Sequence, residues 1–207
     1  MLKLGQTIHE MITVQEKDKM HSGELYLPND KDIMAEQLLC LEKLYDFNAT
    51  RPTEYEKREK MLKEMFAEIG DGCYIEPPFH SNWGGKHCHF GKNVYANFNL
   101  TLVDDTHIYI GDYTMIGPNV TVATAGHPIL PELRQKGYQY NFPVTIGKNC
   151  WIGAGAVIVP GITIMVIESR NSVNLHYFDT KSLIWSQIFF ENLSMSIAMN
   201  IGIIEFL

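Results

Sequence analysis

Apolar residues follow a helical spacing in the first third of the chain, from about Val14 to Gly70. Between Asp32 and Phe47 they recur three and four positions apart, which is typical of an amphipathic helix with one packed side. The members of this apolar stripe are Ile33, Leu38, Leu39, Leu41, Leu44 and Tyr45. The pattern therefore predicts a helix that needs a surface to pack on.

A second helix is predicted from Thr53 to Ile69. Pro52 ends the preceding helix, and Thr53 with Glu56 has the spacing of a capping box, in which a hydroxyl and an acid satisfy backbone amides at the helix start. The apolar side of this helix consists of Met61, Leu62, Met65 and Phe66. Together the two helices predict an N-terminal helical hairpin.

After Gly70 the apolar period changes to six residues, and glycine often follows the apolar residue. The first units are IGDGCY from Ile69, IEPPFH from Ile75, FGKNVY from Phe90, ANFNLT from Ala96 and LVDDTH from Leu102. A slip of two residues leads to Ile110, where IGDYTM, IGPNVT and VATAGH run on to His127. After an interruption, IGKNCW, IGAGAV and IVPGIT extend from Ile146 to Thr163.

A six-residue period predicts a parallel β-helix in which each unit supplies one short strand and one tight turn. Three units make a triangular coil, with the apolar first residue inside and stacked coils sharing one core. The glycines at turn positions that favour a residue without Cβ are Gly70, Gly91, Gly111, Gly117, Gly147 and Gly153. A β-sandwich is disfavoured, because its strands recur about every 8–12 residues without a fixed glycine phase.

The repeat lapses between Ala125 and Val144, where charged residues and prolines replace core positions. Glu132, Arg134 and Lys136 would be costly to bury, so this segment is predicted to be a loop, and long loops in compact domains are commonly functional. The chain thus divides into an extension (1–13), an N-terminal helical segment (14–68), a repeat region (69–164) with a loop at 126–143, and a divergent tail (165–207).

Composition narrows the function classes. The formal net charge is −7, from 17 basic and 24 acidic residues. This balance argues against a broad basic surface for nucleic acid or an anionic membrane, and favours small-molecule or protein partners. The apolar stretch from Ser182 to Leu207 is interrupted by Glu191 and Glu205, so no membrane span is predicted.

The cysteines indicate a reducing compartment. The chain has four, Cys40, Cys73, Cys88 and Cys150, and none forms a C-x-x-C pair. Neither a disulfide framework nor a thiolate zinc site is therefore expected. The N-terminus lacks an uninterrupted apolar core and carries acids early, unlike a secretory signal, so we expect a cytoplasmic protein.

Several motifs keep their order and spacing with those of a known family. They are SGELY at 22–26, KLYDFNAT at 43–50, YANFNLTLVDD at 95–105, TAGHP at 124–128 and NFPVTIGKNCWIGAGAVIVPGITI at 141–164. Over about residues 14–164 the chain resembles the maltose and galactoside O-acetyltransferases, which carry hexapeptide repeats. The resemblance stops after Ile164, where MVIESRNSVN shows no hexapeptide phase, as it would after a frameshift.

The resemblance implies a mainly β fold, a left-handed parallel β-helix, assembled as a homotrimer with active sites between subunits. It also implies direct transfer of an acetyl group from acetyl-CoA, the co-substrate, to a hydroxyl of a maltose-, glucose- or galactoside-type sugar. Such a transfer needs a base for the hydroxyl proton and a donor for the tetrahedral oxyanion, but no metal.

Six residues match family site positions. His127, in AGHP, is the expected general base, and Asn97, in YANFN, is the expected donor at the reacting centre. Asp105 and Asn82 match acceptor-binding positions, where a carboxylate suits a sugar with several hydroxyl donors. Trp151 and Ala154, in CWIGAGA, match positions that line the channel for CoA, where an indole can pack on the pantetheine arm.

Two alternative functions are left open. The absence of further hexapeptides after Ile164 would also fit a truncated or non-catalytic trimeric scaffold. His80, His87 and His89, with Cys88 between the last two, could instead be metal ligands of a hydratase, since a carbonic anhydrase class shares the left-handed β-helix. That class lacks the SGELY and YANFNLTLVDD segments, so no metal is expected.

Overall fold

The computed structural model describes residues 16–165 and the backbone of two further strands, Ile167–Ser169 and Ser172–Asn174. The extension predicted at 1–13, and the tail apart from these strands and Met165, lie outside the described residues.

Helices dominate the start of the described chain. A helical turn at residues 16–19 precedes α1 (Lys31–Asn48) and α2 (Tyr55–Met65). α1 agrees with the predicted helix to within one residue at each end, and the Asp30 carboxylate accepts from the Asp32 and Ile33 amides at its start. The predicted capping box is wrong: α2 begins after Glu54, and no side chain caps its first turn.

Short strands follow from residue 68 onward. The first group is β1 (Glu68–Ile69), β2 (Tyr74–Ile75), β3 (His80–Ser81), β4 (Cys88–Phe90), β5 (Tyr95–Ala96), β6 (Thr101–Val103), β7 (Ile108–Ile110), β8 (Met115–Ile116) and β9 (Thr121–Ala123). A hairpin of β10 (Ala125–Gly126) and β11 (Tyr140–Asn141) then encloses a short helix, α3 (Pro131–Gln135). The remaining strands are β12 (Val144–Ile146), β13 (Trp151–Ile152), β14 (Val157–Ile158), β15 (Thr163–Ile164), β16 (Ile167–Ser169) and β17 (Ser172–Asn174).

The strands from β1 to β9 and β12 to β15 form three parallel sheets around one core. The first sheet has the order β1-β4-β7-β12-β15, the second β13-β8-β5-β2 and the third β14-β9-β6-β3. The chain visits the sheets in this sequence and returns one layer higher, which makes the fold a parallel β-helix, as the six-residue period predicts. β16 and β17 pair antiparallel after the last coil.

The predicted inward positions form the core. Register places Phe90 beside Ile110 in the first sheet and Ala96 beside Ile116 in the second, and each is at most 3% exposed. The alternate residues face outward, as Met115 does at 53% exposure. Core and surface therefore alternate along each strand.

The repeated glycines serve close stacking of coils. A Cβ on Gly111 would lie 2.6 Å from the backbone carbon of Gly147 in the next coil, a separation that real Cβ atoms do not show. The left-handed backbone that the turns also need falls two residues later, at Gly72 and Gly155 but also at Asn93 and Tyr113. Asparagine often replaces glycine there because it tolerates positive φ.

The helical hairpin covers the first coil of the parallel β-helix, which we call the prism. Phe47 of α1 is fully buried and packs edge-on against Phe79, while Phe66, after α2, meets Phe79 and Phe90 in the same way. The Asn48 side chain adds two hydrogen bonds to the Phe79 backbone, at 2.8 and 3.0 Å. The helices and the prism thus share one hydrophobic core.

The apolar stripe of α1 is only partly used for this packing. Ile33 and Leu44 are buried, together with Phe47, which lies outside the predicted stripe. Leu38, Leu39 and Tyr45 are 59–73% exposed, so the described chain covers only part of the predicted stripe.

Departures from the regular coil fall at one corner. In the last coil, the inward residues of the third and first sheets, Ile158 and Ile164, are six positions apart. In the earlier coils the corresponding separations are larger: nine for Ser81–Phe90, eight for Leu102–Ile110 and 24 for Val122–Ile146. The extra residues lie between the third and first sheets, at 82–87, 104–107 and 124–143. We call these three stacked segments the loop corner.

All four cysteines are free. Within the described helices, none is both long and apolar enough to cross a membrane.

Candidate active site

Two adjacent carboxylates, Asp104 and Asp105, begin the middle segment of the loop corner. Both are buried, with exposures of 0% and 6%. Buried carboxylates need several hydrogen-bond donors to offset the loss of water. The two carboxylates have different hydrogen-bond partners, and these partners indicate which of them supports the loop and which can bind a ligand.

Asp104 organises the first segment of the loop corner. Its carboxylate accepts from the Ser81 hydroxyl at 2.5 Å and from the backbone amides of Trp83 and Gly85 at 2.8 and 3.0 Å. Burial raises the pKa of this carboxyl to about 6, although the hydrogen bonds from Ser81 and Trp83 act in the opposite direction. With no exposed surface and three hydrogen bonds from residues 81–85, Asp104 holds the first segment of the loop corner in place.

Asp105 is held by two side-chain amides. Nδ2 of Asn82 donates to Oδ2 at 2.8 Å, and Nε2 of Gln139 donates to Oδ1 at 3.1 Å. An ionised carboxylate has about four acceptor sites, so each oxygen keeps capacity for another donor. The structure therefore brings together Asn82 and Asp105, both predicted to bind the acceptor.

His127 lies in the longest segment of the loop corner, directly after β10. Gly126 is paired with Tyr140 in the β10–β11 hairpin, which places His127 opposite Gln139. Nδ1 of His127 lies 3.2 Å from the backbone oxygen of Tyr138. A carbonyl only accepts, so Nδ1 carries the hydrogen and Nε2 is left as a proton acceptor on an exposed side chain.

Asn97 lies at a different corner. It follows β5, at the turn between the second and third sheets. Its Oδ1 accepts from the Phe98 amide at 2.8 Å, and among the described contacts its Nδ2 donor has no partner. The side chain is partly exposed, so this amide can donate to a group outside the chain.

Of the two predicted CoA-binding residues, Ala154 shares the corner of Asn97, and Trp151 lies on the second sheet next to that corner. Ala154 is exposed and follows Gly153, which the register places two coils from Asn97, roughly 10 Å away at normal strand spacing. Gly117, in the coil between them, makes this stacking close, since a Cβ there would lie 2.7 Å from the Ala154 nitrogen. Trp151 is 46% exposed on the outer face of β13.

The predicted residues therefore form two groups within one chain. His127, Asp105 and Asn82 lie at the loop corner, whereas Asn97 and Ala154 lie at the corner between the second and third sheets. The third sheet separates the two corners. One chain alone does not bring the expected base and the expected oxyanion donor together.

The histidines considered as metal ligands do not converge. His80 is exposed on the third sheet, and His89 belongs to the first sheet, where its Nε2 lies 2.9 Å from Nδ1 of His107. Nδ1 of the buried His87 instead meets the backbone oxygen of Asp104 at 2.7 Å. Over residues 16–165, no group of three or more histidine, cysteine or acidic side chains has a geometry that could hold a metal.

Sequence reasoning missed three buried polar residues that are hydrogen-bonded to one another beside Asp105, namely Tyr26, Gln139 and Asn141. Asn141 lies in β11 and Gln139 two residues before it, in extended backbone paired with Tyr26. Residues two apart in extended backbone face the same side, so the polar alternation in GYQYNF was a usable signal. Nothing in the sequence indicated that Tyr26, 113 positions before Gln139, would meet it.

Family models match two parts of the chain. Residues 19–70 match the maltose acetyltransferase hexapeptide capping motif, and residues 143–164 match the hexapeptide repeat of succinyl-transferase. These ranges cover the helical hairpin and the last regular coil.

Individual relatives match over most of their length. A galactoside O-acetyltransferase of Lactococcus lactis is 51% identical over 155 residues, which are 75% of this chain and 73% of the relative. A galactoside acetyltransferase solved in complex with coenzyme A is 44% identical with a TM-score of 0.69, covering 72% of this chain and 74% of the other. A maltose O-acetyltransferase structure from Clostridium difficile is 42% identical with a TM-score of 0.70, covering 72% and 79%.

Proposed function

This chain belongs to the family of hexapeptide-repeat galactoside and maltose O-acetyltransferases, and we propose that it transfers an acetyl group from acetyl-CoA to a sugar hydroxyl. It is thus an acetyl-CoA-dependent O-acetyltransferase. The acceptor is a sugar of maltose, glucose or galactoside type, and the transfer is direct, without an acyl-enzyme.

His127 is the general base. Its Nε2 takes the proton of the acceptor hydroxyl while that oxygen forms a bond to the thioester carbonyl carbon. When the carbon–sulfur bond breaks, the imidazolium returns the proton to the departing thiolate, so the products are an acetyl ester and free CoA thiol. The contact from Nδ1 to the Tyr138 oxygen supports this role, because it orients the ring and fixes the tautomer.

Asp105 binds the acceptor. Its oxygens each retain acceptor capacity beyond the bonds from Asn82 and Gln139, and sugar hydroxyls are the donors that fit them. The single observation that carries the proposal is the joint support of this carboxylate and of His127 by consecutive residues, Gln139 and Tyr138. A base and an acceptor-binding group fixed by one short segment can address hydroxyls of the same sugar.

Asn97 stabilises the oxyanion. Acetyl-CoA lies along the corner that Asn97 shares with Ala154 and along the adjoining second sheet, which carries Trp151. The free Nδ2 donor of Asn97 supports the first role. The exposed indole of Trp151 offers a flat apolar surface for the pantetheine arm.

The active site lies between two copies of the chain in a homotrimer. Within one chain the third sheet separates His127 from Asn97, so a neighbouring copy must supply one of them. We further propose that the parallel β-helix is left-handed, as the family resemblance implies, and that the protein acts in the cytoplasm.

The test is release of CoA thiol from acetyl-CoA in the presence of maltose, glucose or a galactoside. We expect acceptor-dependent release by the parent chain and a loss of roughly 10²–10⁴-fold in kcat for His127→Ala. No release with any acceptor, together with no specific CoA binding in a calorimetric titration, would instead identify a non-catalytic scaffold. Equal rates for His127→Ala and the parent would refute the role of the base.

A further inference from the structure

Asp105 is the end of a buried polar chain that crosses three segments of the protein. The segment carrying Tyr26 lies against the loop corner and forms a pair of backbone hydrogen bonds with Gln139, at 2.9 and 3.0 Å. The side chains also meet, with Nε2 of Gln139 2.7 Å from the Tyr26 hydroxyl. Tyr26 is 1% exposed and Gln139 7%, so water does not compete strongly for these bonds.

Asn141 fixes the other side of the tyrosine. Its Nδ2 donates to the Tyr26 hydroxyl and to the Met20 backbone oxygen, both at 2.9 Å. Its Oδ1 accepts from Nε2 of Gln139 at 3.0 Å. Burial raises the pKa of Tyr26, so its hydroxyl stays neutral across the physiological range.

The Gln139 amide thus has three acceptors within reach but only two hydrogens. The acceptors are the Tyr26 hydroxyl, the Asn141 amide oxygen and the Asp105 carboxylate. A charged acceptor forms the stronger bond, so one hydrogen is directed to Asp105. The other, shared between two neutral oxygens, holds the amide plane in place.

Resting on the proposed function, we infer that Gln139 is a positioning residue that orients the acceptor-binding carboxylate of Asp105, with Tyr26 and Asn141 fixing the Gln139 amide. With Asn82 on Oδ2 and Gln139 on Oδ1, rotation of the carboxylate would break two hydrogen bonds. The remaining acceptor sites are thereby aimed at the sugar. Because Tyr138 contacts His127 and Gln139 contacts Asp105, a shift of this two-residue segment would move the base and the carboxylate together.

Gln139→Met tests the inference by removing the donor at similar volume. We expect KM for the sugar to rise about 10-fold, from the loss of one hydrogen bond to a charged group, while KM for acetyl-CoA stays unchanged. Gln135→Met is the matched control, since it makes the same change on an exposed residue of the same loop and should leave both constants unaltered.

Gln139→Glu separates positioning from a general loss of structure. At neutral pH the introduced carboxylate faces Asp105 without a hydrogen to donate, so sugar KM should rise at least as much as in Gln139→Met. As pH falls, protonation gives the new side chain an O–H that can donate to Asp105. Sugar KM of Gln139→Glu, relative to the parent at each pH, should therefore recover, whereas that of Gln139→Met should not.

The outcomes are distinguishable. If the parent chain releases thiol and Gln139→Met keeps the parent's sugar KM, the positioning role is wrong and the proposed function stands. Equal pH profiles for the two Gln139 variants would also overturn it, because a packing defect does not depend on a proton. Absence of acceptor-dependent release by the parent overturns the proposed function, and the inference with it.

Discussion

Nδ1 of His87 lies 2.7 Å from the backbone oxygen of Asp104, and both side chains are buried within the loop corner. Burial lowers the pKa of His87 to about 4, with the Asp104 carbonyl acting in the other direction. Burial raises the pKa of the Asp104 carboxyl to about 6. The two groups are therefore both neutral in the folded protein between about pH 4 and 6.

Their contributions to stability oppose each other on acidification. The unfolded chain protonates His87 near 6.5 but the folded chain only near 4, so this residue lowers the free energy of unfolding as pH falls across that window. Asp104 protonates near 6 in the folded chain but near 3.8 in the unfolded chain, so it raises the free energy of unfolding over that range. Each contributes a slope of about 1.4 kcal/mol per pH unit.

We expect Asp104→Asn to make stability more sensitive to acid. Without the carboxyl, the effect of His87 is no longer offset, and the free energy of unfolding should fall more steeply from pH 6 to 4 than in the parent. His87→Asn, which keeps a donor for the carbonyl, should show a shallower fall. Denaturant unfolding at several pH values checks this; identical slopes for all three proteins would contradict it.

Tyr113 occupies a left-handed turn position where its equivalents in the neighbouring coils are asparagines. Its φ is 60°, beside 54° at Asn93 and 55° at Asn149, and its ring is 58% exposed. Asparagine tolerates this backbone better, so Tyr113→Asn should raise the free energy of unfolding by about 1 kcal/mol. Thermal unfolding measures this. Tyr109→Asn, on a strand, should not stabilise, and a lower Tm for Tyr113→Asn would contradict the prediction.

The separation of His127 from Asn97 within one chain predicts complementation between inactive variants. Asn97→Ala should lower kcat by about 10²–10³-fold, as for loss of an oxyanion donor. If each site takes its two residues from different subunits, a site in a mixed trimer is intact when one subunit is Asn97→Ala and its neighbour is His127→Ala in the right order. Unfolding these two variants together and reassembling them at random should therefore restore about a quarter of parental activity. Recovery no greater than the sum of the separate variants would place both residues in one subunit.

We expect Trp151 to affect the KM for acetyl-CoA but not the KM for the sugar. Trp151→Ala removes the exposed surface proposed to pack on acetyl-CoA, so KM for acetyl-CoA should rise about 10-fold, while KM for the sugar changes little. Val157→Ala, at 42% exposure on the third sheet, is the control and should behave like the parent. Steady-state kinetics with each substrate varied in turn measure both constants; a change in sugar KM alone would refute the assignment.

The prism could be predicted from sequence because the spacing of its apolar residues and glycines is local and repeated. Each inward residue recurs at a fixed distance, and the backbone contact at Gly111 shows why the next position excludes a side chain. The slip before Ile110 was also visible, since eight residues separate it from Leu102 instead of six.

The acceptor side of the site could be predicted only in part. Asp105 and His127 lie in recognisable motifs, but the hydrogen bond between Tyr26 and Gln139 joins positions 113 apart. A contact of this kind depends on the packing of the N-terminal segment against the loop corner, for which no periodic pattern exists. The exposed Leu38 and Leu39 show the same limit, because helical spacing identifies an apolar side without identifying what covers it.

The loop corner carries the residues proposed to bind the acceptor, whereas the stacked coils carry the hydrophobic core. Register in the sheets continues undisturbed through segments that lengthen the coil by two, three or 18 residues. Segments at this corner can therefore be exchanged between homologues with little strain on the core. Replacing residues 124–143 with the segment of a homologue should therefore change the acceptor preference without altering the stacked coils.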